Sequence, residues 1–473
     1  MTLRLYDTVA REIRDFVPLV PGEVGIYHCG LTVQGPPHVG HIYKEVVFDV
    51  LRRWLEHTGF AVTIIANVTD IDDKVLAKSR ELGGQWWAHA FANERSLHEA
   101  YDVLGCIPPT YVPRATGHIT EMVELIQQLI DKGHAYVAPD GTGDVYFDVR
   151  SWPAYGSLSH QRLDDMLVSE DGVDAQARGK RDPRDFALWK GHKAAEPITA
   201  SWPAPWGRGR PGWHIECSAM AGKYLGDTFD IHGGGIDLRF PHHENELAQS
   251  CAAGRPFARH WMHNAWITAS GEKMSKSLDN SMLVSMVVER VRPIELRHYL
   301  VSSHYRSNVE FSFEALEESG VSFRRIENFL DRATRVVGGT EPDRELPVEF
   351  VAAMDDDLAA PAALAVIHET IREGNVALAN ADERVVRASL GAVRGMLAIF
   401  GIDPHGEAWA ARARAGNVRE DLVDNLVSAL LSERQDARER RDFAAADAIR
   451  GRLRDAGVEV EDTPQGSRWT AAS

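Results

Sequence analysis

The chain has 473 residues, of which 44% are hydrophobic, and it carries a formal net charge of −17 at pH 7. A chain of this length can form about three domains, and its negative charge excludes a surface that attracts nucleic acid everywhere, so any RNA binding requires local basic patches. Four widely spaced cysteines exclude a disulfide framework and no run of residues approaches membrane-spanning length, so we expect a soluble, cytoplasmic protein with reduced thiols.

The first strong pattern along the chain is a strand, a tight turn and a helix. The apolar run Val24–His28 predicts the strand, and the turn after it ends in His-Val-Gly-His at positions 38–41. An amphipathic run follows and predicts a helix whose positive N-terminal end faces the turn, which is the geometry of a phosphate site. Gly40 has no Cβ and lets a flat ring approach, while His38 and His41 can donate hydrogen bonds to phosphate oxygens. From these residues alone, a structural turn histidine remains the alternative.

A second strand and a polar run come next. The segment Phe60–Ile65 predicts the strand, and Thr69 lies in the polar run Asn67–Lys74 that follows it. The order strand, helix, strand predicts a parallel sheet with a site at the carboxyl ends of its strands. Amphipathic helices are predicted between residues 86 and 132, and the short β-rich pieces between residues 135 and 189 indicate an inserted subdomain.

Four residues have the chemistry of a metal site. Cys29 ends the first predicted strand, and Cys217 lies where the main fold resumes after the insertion. His242 and Glu246 are four residues apart, so they share one face of a helix. Two thiolates with one imidazole and one carboxylate suit Zn²⁺. By spacing alone, buried apolar cysteines and a capped surface helix remain the alternatives.

A short polar loop with two lysines follows the apolar run Ala265–Ile267. Lys273 and Lys276 lie in Gly271–Leu278, whose sequence is GEKMSKSL. Lysines on a flexible loop can follow a phosphate while negative charge builds on it. A solvated lysine loop is the alternative for one Lys-x-x-Lys pattern.

The C-terminal part is predicted to be helical. After an acidic, proline-containing linker at residues 341–345, the alanine content rises and predicts a helical bundle. We expect its helices at Phe350–Ile371, Glu383–Phe400 and Glu420–Ala437. An arginine-rich helix over Glu433–Ala456 and a short β-like tail end the chain.

The paired histidines and the lysine loop together are the signature of class I aminoacyl-tRNA synthetases, and the chain closely resembles the bacterial cysteinyl-tRNA synthetase family. The resemblance covers nearly the whole chain. Beyond the motifs above, it rests on the stretches Asn67–Lys74, Gly212–Met220, Phe229–Gly235, Phe240–Glu246, Met354–Asp357, Phe443–Asp447 and Glu461–Gly466.

The resemblance implies an α/β fold. The catalytic domain would be a doubly wound, parallel-sheet (Rossmann-like) domain with an insertion, followed by an α-helical bundle and a small C-terminal anticodon-binding segment. The implied boundaries are 1–134 and 201–268 for the two halves of the catalytic domain, 135–200 for the inserted connective subdomain, 269–340 for the lysine loop and a stem-contact helical region, 341–432 for the bundle and 433–473 for the anticodon-reading segment.

The resemblance also implies a reaction in two steps. Cysteine and ATP would give cysteinyl-adenylate and pyrophosphate, and the cysteinyl group would then pass to the 3′ end of tRNA(Cys) with release of AMP. The partners would be L-cysteine, ATP with Mg²⁺ and tRNA(Cys), with no membrane, and we expect a monomer.

The family's functional residues carry over position by position. The catalytic residues would be His38, His41, Lys273 and Lys276, of which Lys276 contacts ATP together with Gly40. The cysteine pocket would be formed by Thr69, Trp213, His232 and Asp237. One Zn²⁺ per subunit, whose coordination the substrate thiolate completes, would be held by Cys29, Cys217, His242 and Glu246. The anticodon would be read by Asp447, Arg450 and Asp462, and Trp469 could stack on a base.

The chain departs from the family at three positions. The family usually has arginine where this chain has Tyr43 and Ala66, and glycine where it has Asp279. Two lost positive charges, one of which Lys44 can offset, indicate a specialised second copy, with a housekeeping enzyme as the alternative. The rival functions are a ligase that joins cysteine to a small-molecule amine and a non-catalytic RNA-binding homologue. The first class lacks the long C-terminal part, and the retained histidines and lysines argue against the second.

Overall fold

The computed structural model describes residues 2–165, 179–269, 271–273, 282–440, 442–463 and 466–471. The chain divides into two units with internal packing of their own, Met1–Asp403 and Pro404–Ser473. Within the described ranges, no helix is both long enough and apolar enough to cross a membrane.

A four-stranded parallel sheet organises the first unit. Its strands, in spatial order, are β10 (Phe257–Asn264), β9 (Thr228–Gly235), β3 (Glu23–Thr32) and β4 (Ala61–Thr69). All three pairings are parallel, and Tyr27 of β3 lies opposite Ile65 of β4 on one side and His232 of β9 on the other. The strands are mostly buried, as expected of a parallel sheet that helices cover on both faces. The predicted α/β class with a parallel sheet is confirmed.

Helices connect the strands and bring their carboxyl ends to one edge. Helix α1 (Val39–His57) runs from β3 to β4, α5 (Trp213–Leu225) leads into β9, and α6 (Glu244–Ala252) joins β9 to β10. The apolar residues of α1, among them Val46, Leu51 and Trp54, are buried against the rest of the unit. The residues that follow β3, β4 and β9 therefore meet at one edge of the sheet.

An antiparallel sheet interrupts the parallel fold. Its strands are β5 (Ala135–Val137), β6 (Val145–Phe147), β7 (Phe186–Gly191) and β8 (Gly209–Pro211), which pair in that order. The stacked rings of Phe147 and Phe186, 5.0 Å apart between centroids, form part of its core. The predicted limits 135–200 of the insertion stay a prediction, as do the other five predicted boundaries.

A small sheet and a group of helices complete the first unit. The sheet has the order β12 (Glu272–Lys273), β11 (Ile267–Ala269) and β13 (Val309–Glu310). The helices are α8 (Pro293–Val301), α9 (Phe313–Val337), α10 (Val348–Asp355), α11 (Ala360–Ala379) and α12 (Glu383–Phe400). The other strands and α-helices described in this unit are β1 (Arg4–Asp7), β2 (Glu12–Asp15), α2 (Asp73–Glu81), α3 (Trp86–Val103), α4 (Ile119–Asp131) and α7 (Val284–Val288).

A buried arginine ties three of these helices together. Arg297 of α8 is fully buried and forms an ion pair with Asp49 of α1. It also donates hydrogen bonds to the carbonyl oxygens of Phe400, at the end of α12, and of Leu104, at distances of 2.8 and 3.0 Å. Helix α1 is thereby fixed against the helices that follow the parallel sheet.

The prediction of one helix over Phe350–Ile371 is wrong, because two helices, α10 and α11, occupy this range. Between them, Asp357 and Leu358 adopt positive φ angles of 58° and 51°. The Asp357 carboxylate accepts hydrogen bonds from the backbone N–H of Tyr6 and the hydroxyl of Tyr305, and it pairs with Arg306. These contacts stabilise a left-handed backbone conformation that residues other than glycine rarely adopt. The helix ends because the chain takes this conformation.

In its described residues, the second unit has two helices and a hairpin. They are α13 (Glu407–Glu439), α14 (Phe443–Asp455), β14 (Val458–Thr463) and β15 (Gly466–Ala471). The prediction of one helix over Glu433–Ala456 is also wrong: Asp442 caps α14 by accepting a hydrogen bond from the N–H of Ala445, at 3.1 Å, so a new helix starts there. Val427, Ile449 and Leu453 form the core of this unit.

Candidate active site

A cavity of about 520 Å³ opens at the edge of the sheet where the parallel strands end. Its wall includes Cys29 near the end of β3, Thr69 at the end of β4 and Gly235 at the end of β9. The start of α1, with His38 and His41, lines the same cavity. This position is typical of small-molecule sites in α/β proteins, because the segments after the strands diverge there and leave room.

Four side chains that could hold a metal ion cluster at one wall of the cavity, and three of them line it. Cys29, Cys217, His242 and Glu246 are all buried, and their donor atoms lie within 4.8 Å of one another. The two sulfur atoms are 3.6 Å apart, the Cys29 Sγ is 3.3 Å from Glu246 Oε1, and His242 Nε2 is 3.1 Å from the same oxygen. These residues come from β3, α5, the turn before α6 and α6 itself, so the fold assembles the cluster from three regions of sequence.

The spacing of the donor atoms fits a tetrahedral ion. Two thiolates bound tetrahedrally to zinc, each about 2.3 Å from the ion, lie about 3.8 Å apart. The Cys29 and Cys217 sulfurs are within a few tenths of an ångström of that spacing. Burial raises the pKa of both thiols, so a nearby cation is needed to hold them as thiolates. The donor set and its geometry thus fit a metal ion.

The protonation state of His242 suits a ligand. Burial lowers its pKa to about 3, so the ring is neutral at pH 7. Its Nδ1 is 2.9 Å from Nδ1 of His214. If Nδ1–H of His242 donates to His214, the lone pair of Nε2 is left facing the cluster, as a metal ligand requires.

His232 lies behind the cluster and not on the cavity wall. It is fully buried, its Nδ1 donates to the carbonyl oxygen of Tyr27 at 3.0 Å, and its Nε2 is 2.8 Å from Glu246 Oε2. His232 therefore orients Glu246. A second possible ligand set replaces Cys217 and His242 by His232 and His243, but both ring nitrogens of His232 are already engaged.

The paired histidines stack at the start of α1. The ring centroids of His38 and His41 are 3.5 Å apart, and the backbone N–H of His38 faces Nδ1 of His41 at 3.4 Å. A Cβ on Gly40 would lie 3.2 Å from two atoms of the His38 ring, so a side chain there would press on that ring. Glycine at this position therefore leaves the His38 ring room to stack on His41.

The segment after the lysine loop is hydrogen-bonded to this same turn. The N–H of Val39 donates to the carbonyl oxygen of Met282 at 2.9 Å, and the N–H of Val284 donates to that of Pro37 at 3.2 Å. On the other side of the loop, Lys273 pairs with Thr268 in the β11–β12 ladder, and Ile267 of β11 lines the cavity. Lys276 and Asp279 lie outside the described residues.

The other predicted cysteine-pocket residues line the cavity beside the cluster. Thr69 donates its hydroxyl to Glu216 Oε2 at 2.8 Å, and the Trp213 ring stacks on the His242 ring with a centroid distance of 4.2 Å. Asp237 lies on the wall near Gly235. Thr69, Trp213 and Asp237 are thus brought together next to the cluster of cysteine, histidine and glutamate side chains.

Three residues of the site were not among the predicted site residues. Asn67 accepts a hydrogen bond from the N–H of Gly30 at 2.8 Å, which fixes the chain next to Cys29. Glu216 receives the Thr69 hydroxyl, and Lys44 points into the site from α1. The signal that could have revealed Asn67 is a polar residue near the C-terminal end of a strand that leads into a site.

The residues predicted to read the anticodon lie in the second unit. Asp447 and Arg450 are exposed on α14. Asp462 pairs with Ser467 in the terminal hairpin, and its side chain lies outside the described part of the structure. Trp469 packs against the core of this unit and is partly buried, so its indole serves the fold of the hairpin.

Tyr43 and Ala66, which stand where the family resemblance predicts arginine, do not line the large cavity. Tyr43 is 1% exposed, and it lines a small apolar pocket between α1 and α8 and not the large cavity. Ala66 is buried in β4, opposite His28.

Models of known families match three parts of the chain. Residues 15–320 match the tRNA synthetases class I (C) catalytic domain, residues 349–402 match the DALR domain, and residues 421–469 match the cysteinyl-tRNA ligase anticodon binding domain. The first of these covers more than half of the chain.

Curated proteins and solved structures agree with these matches. A cysteine–tRNA ligase of Nocardioides sp. is 61% identical over 473 residues, 99% of this chain and 100% of that protein, and one of Cutibacterium acnes is 59% identical over 477 residues, 99% and 97%. The fold is similar to that of Mycobacterium tuberculosis methionyl-tRNA synthetase bound by methionyl-adenylate (TM-score 0.59, 16% identity, 80% of this chain and 90% of that one). It is also similar to that of Agrobacterium radiobacter LeuRS in a ternary complex (TM-score 0.60, 13% identity, 84% and 86%). The chain therefore belongs to the cysteine–tRNA ligase family of class I aminoacyl-tRNA synthetases.

Proposed function

We propose that this protein activates L-cysteine with ATP and transfers the cysteinyl group to the 3′ end of tRNA(Cys). The observation that carries the proposal is one cavity wall, where two close thiols and a histidine, with the Glu246 carboxylate behind them, adjoin the stacked pair His38 and His41 at a helix start. A thiol-binding cluster beside a phosphate-binding helix terminus suits an enzyme that joins cysteine to a nucleotide.

The metal in this proposal is one Zn²⁺ per chain, held by Cys29, Cys217, His242 and Glu246. A pocket that distinguishes by shape separates cysteine poorly from serine, because the two differ in a single atom. When bound, zinc would supply selectivity for the substrate's thiolate over a hydroxyl. The fold supports this use by placing both thiols on the cavity wall, where a ligand can reach the ion.

In the first step, a carboxylate oxygen of cysteine attacks the α-phosphorus of ATP, and the bond from that phosphorus to the bridging oxygen of pyrophosphate breaks. His38 and His41 would stabilise the negative charge that develops on the α-phosphate, helped by the N-terminal N–H groups of α1. Lys273 and Lys276 would hold the departing pyrophosphate, with Mg²⁺ entering on ATP. Asp237 would bind the α-ammonium group, and Trp213 would close the pocket beside the thiol.

In the second step, the terminal ribose of tRNA takes the cysteinyl group and AMP leaves. Asp447, Arg450 and Asp462 would read anticodon bases, because carboxylates and guanidinium groups pair with the edges of unstacked bases. We further propose that the protein acts as a monomer in the cytoplasm. The cytoplasmic location is supported by the four free cysteines, since a reducing compartment keeps the two cluster thiols available for metal.

The test uses the purified full-length protein and three readouts. Cysteine should support exchange of pyrophosphate into ATP, tRNA(Cys) should be charged, and metal analysis should find one zinc per chain. Exchange without charging would favour ligation of cysteine to a small-molecule amine instead, and absence of exchange would favour a non-catalytic RNA-binding role. Absence of zinc with full discrimination against serine would contradict the metal proposal alone.

A further inference from the structure

A buried lysine connects the helix that follows the histidine turn with the strand that carries Cys29. Lys44 is 6% exposed and lies on α1, three residues after His41, so the two share one face of the helix. Its side chain crosses to the end of β3. There Nζ donates to the carbonyl oxygen of Cys29 at 2.8 Å and lies 3.0 Å from Nδ1 of His28. Lysine is seldom buried without a strong partner, so this placement calls for an explanation.

The charge balance around the cluster supplies one. Two thiolates and one carboxylate outnumber the charge of a divalent ion by one, and this excess is buried. The anion nearest to Lys44 outside the cluster is Glu45, whose Oε2 forms an ion pair with Nζ at 3.6 Å. The ammonium of Lys44 is thus held closer to the Cys29 main chain than to a carboxylate. At short range in a buried site, such a charge strongly favours an anionic cluster.

The bond to Cys29 also has a geometric effect. The carbonyl that accepts from Nζ belongs to the same residue as a proposed ligand, so the bond limits rotation of that peptide and the direction of the Cys29 side chain. Asn67 restrains the next residue by accepting from the N–H of Gly30. The Cys29 ligand is therefore held from the α1 side by Lys44 and from the β4 side by Asn67.

We propose that Lys44 is a positioning residue of the metal site, which fixes the main chain of Cys29 and offsets the excess negative charge of the ligand set. This inference rests on the metal site proposed above. Because Lys44 lies on the helix that starts with the histidine pair, it also holds the phosphate side of the cavity at a fixed distance from the metal side.

The test measures zinc affinity of the full-length protein by competition with a chromophoric chelator. Lys44→Met removes the charge and the donors at similar length, and Lys44→Gln keeps a donor without the charge. We expect both to lower zinc affinity, by about 10- to 100-fold for Lys44→Met, as for other residues that support a metal ligand. The KM for cysteine should rise while the KM for ATP stays within about twofold of the parent value, a split that general destabilisation would not produce.

The matched control is Lys78→Met, because Lys78 is a half-exposed lysine on α2 that pairs with Glu81 on the surface. It should bind zinc like the parent. Thermal unfolding identifies which Lys44 variant keeps the parent's fold, and that variant decides the result. Zinc affinity within about twofold of the parent in a folded Lys44 variant overturns the role of Lys44. Absence of zinc binding by the parent itself is a different result, which overturns the proposed metal site.

Discussion

At the scale of single residues, the proposed metal site depends on which cysteine side chains reach it. Cys29 and Cys217 are buried on the cavity wall, whereas Cys251 is partly exposed and lies outside the residues that line the cavity. Serine at either cluster position would preserve the volume of the side chain but replace the soft ligand that zinc prefers.

Cys217→Ser should therefore lower zinc affinity at least about 100-fold, because it removes a direct ligand. Discrimination of cysteine from serine should fall toward the range that shape alone provides, about 10- to 200-fold. Metal analysis and pyrophosphate exchange with each amino acid measure the two effects, with Cys251→Ser as the control that should change neither. Unaltered zinc content in Cys217→Ser would show that the ligand set is different.

A second residue-scale feature is the buried phenol at one of the positions where the family usually has arginine. The Tyr43 hydroxyl has no hydrogen-bond partner in the described part of the chain, and the ring lies in a pocket lined by Val46, Val47 and Leu300. The surroundings are apolar, so a charged side chain here would lose its hydration with little in return.

Tyr43→Arg should accordingly lower the free energy of unfolding by about 3–5 kcal/mol, because it leaves a charge buried and unpaired. Tyr43→Phe should be neutral or raise it by up to about 1 kcal/mol, since it removes only an unsatisfied hydroxyl. Urea denaturation of the two variants measures the difference. An arginine variant that is as stable as the parent and charges tRNA faster would show instead that the replacement weakened the enzyme.

At the scale of elements, the turn between β11 and β12 is held by one carboxylate. Glu310 of β13 accepts hydrogen bonds from the N–H of Gly271 at 3.0 Å and from the hydroxyl of Thr268 at 2.5 Å. Gly271 has a φ of +77°, which glycine adopts without strain. This contact fixes the strand pair on which Lys273 lies.

Glu310→Gln should slow cysteine-dependent pyrophosphate exchange by about 10- to 100-fold, because a small displacement of a positioned catalytic group has an effect of this size. The KM for cysteine should change little, since Glu310 is not among the residues that line the cavity. The control is Glu314→Gln, on the exposed start of α9. Equal rates for Glu310→Gln and the control would mean that the turn keeps its position without the carboxylate.

The breaks between helices show where sequence patterns fail. The apolar pattern predicted the strands β3 and β4 and the helix α12 well, because a stripe or run of apolar residues is a local property. It did not predict that Asp357 would end α10, because the contacts that hold its left-handed backbone come from Tyr6 and Arg306, far away in sequence. It also missed the cap at Asp442, where the apolar pattern continues across the break. The contact of Lys44 with Cys29 is likewise a consequence of packing, which no spacing of residues expresses.

At the scale of the whole molecule, the two units divide the work that we propose. All residues of the cavity wall belong to the first unit, which also carries most of the negative charge of the chain. The second unit is arginine-rich and almost neutral, so it is the part of the chain where attraction to phosphates is least opposed.

A chain that ends at Asp403 should therefore keep pyrophosphate exchange within about threefold of the parent, as expected when no wall residue of the cavity is removed. Charging of tRNA(Cys) should fall at least about tenfold, because each lost base contact weakens recognition by about 1–3 kcal/mol. Aminoacylation and exchange assays on the same preparation compare the two steps. Equal loss of both would indicate that the first unit needs the second for its own stability.

The hydrogen bonds that join Val39 to Met282 and Val284 to Pro37 have a consequence for how the chain can vary. They join the histidine turn and the far end of the lysine loop into one rigid structure, although some 240 residues separate the two segments along the chain. An insertion or deletion in the intervening residues need not disturb this structure, provided that both segments still meet. The antiparallel insertion can therefore change in length and sequence while the histidine turn and the end of the lysine loop keep their mutual geometry.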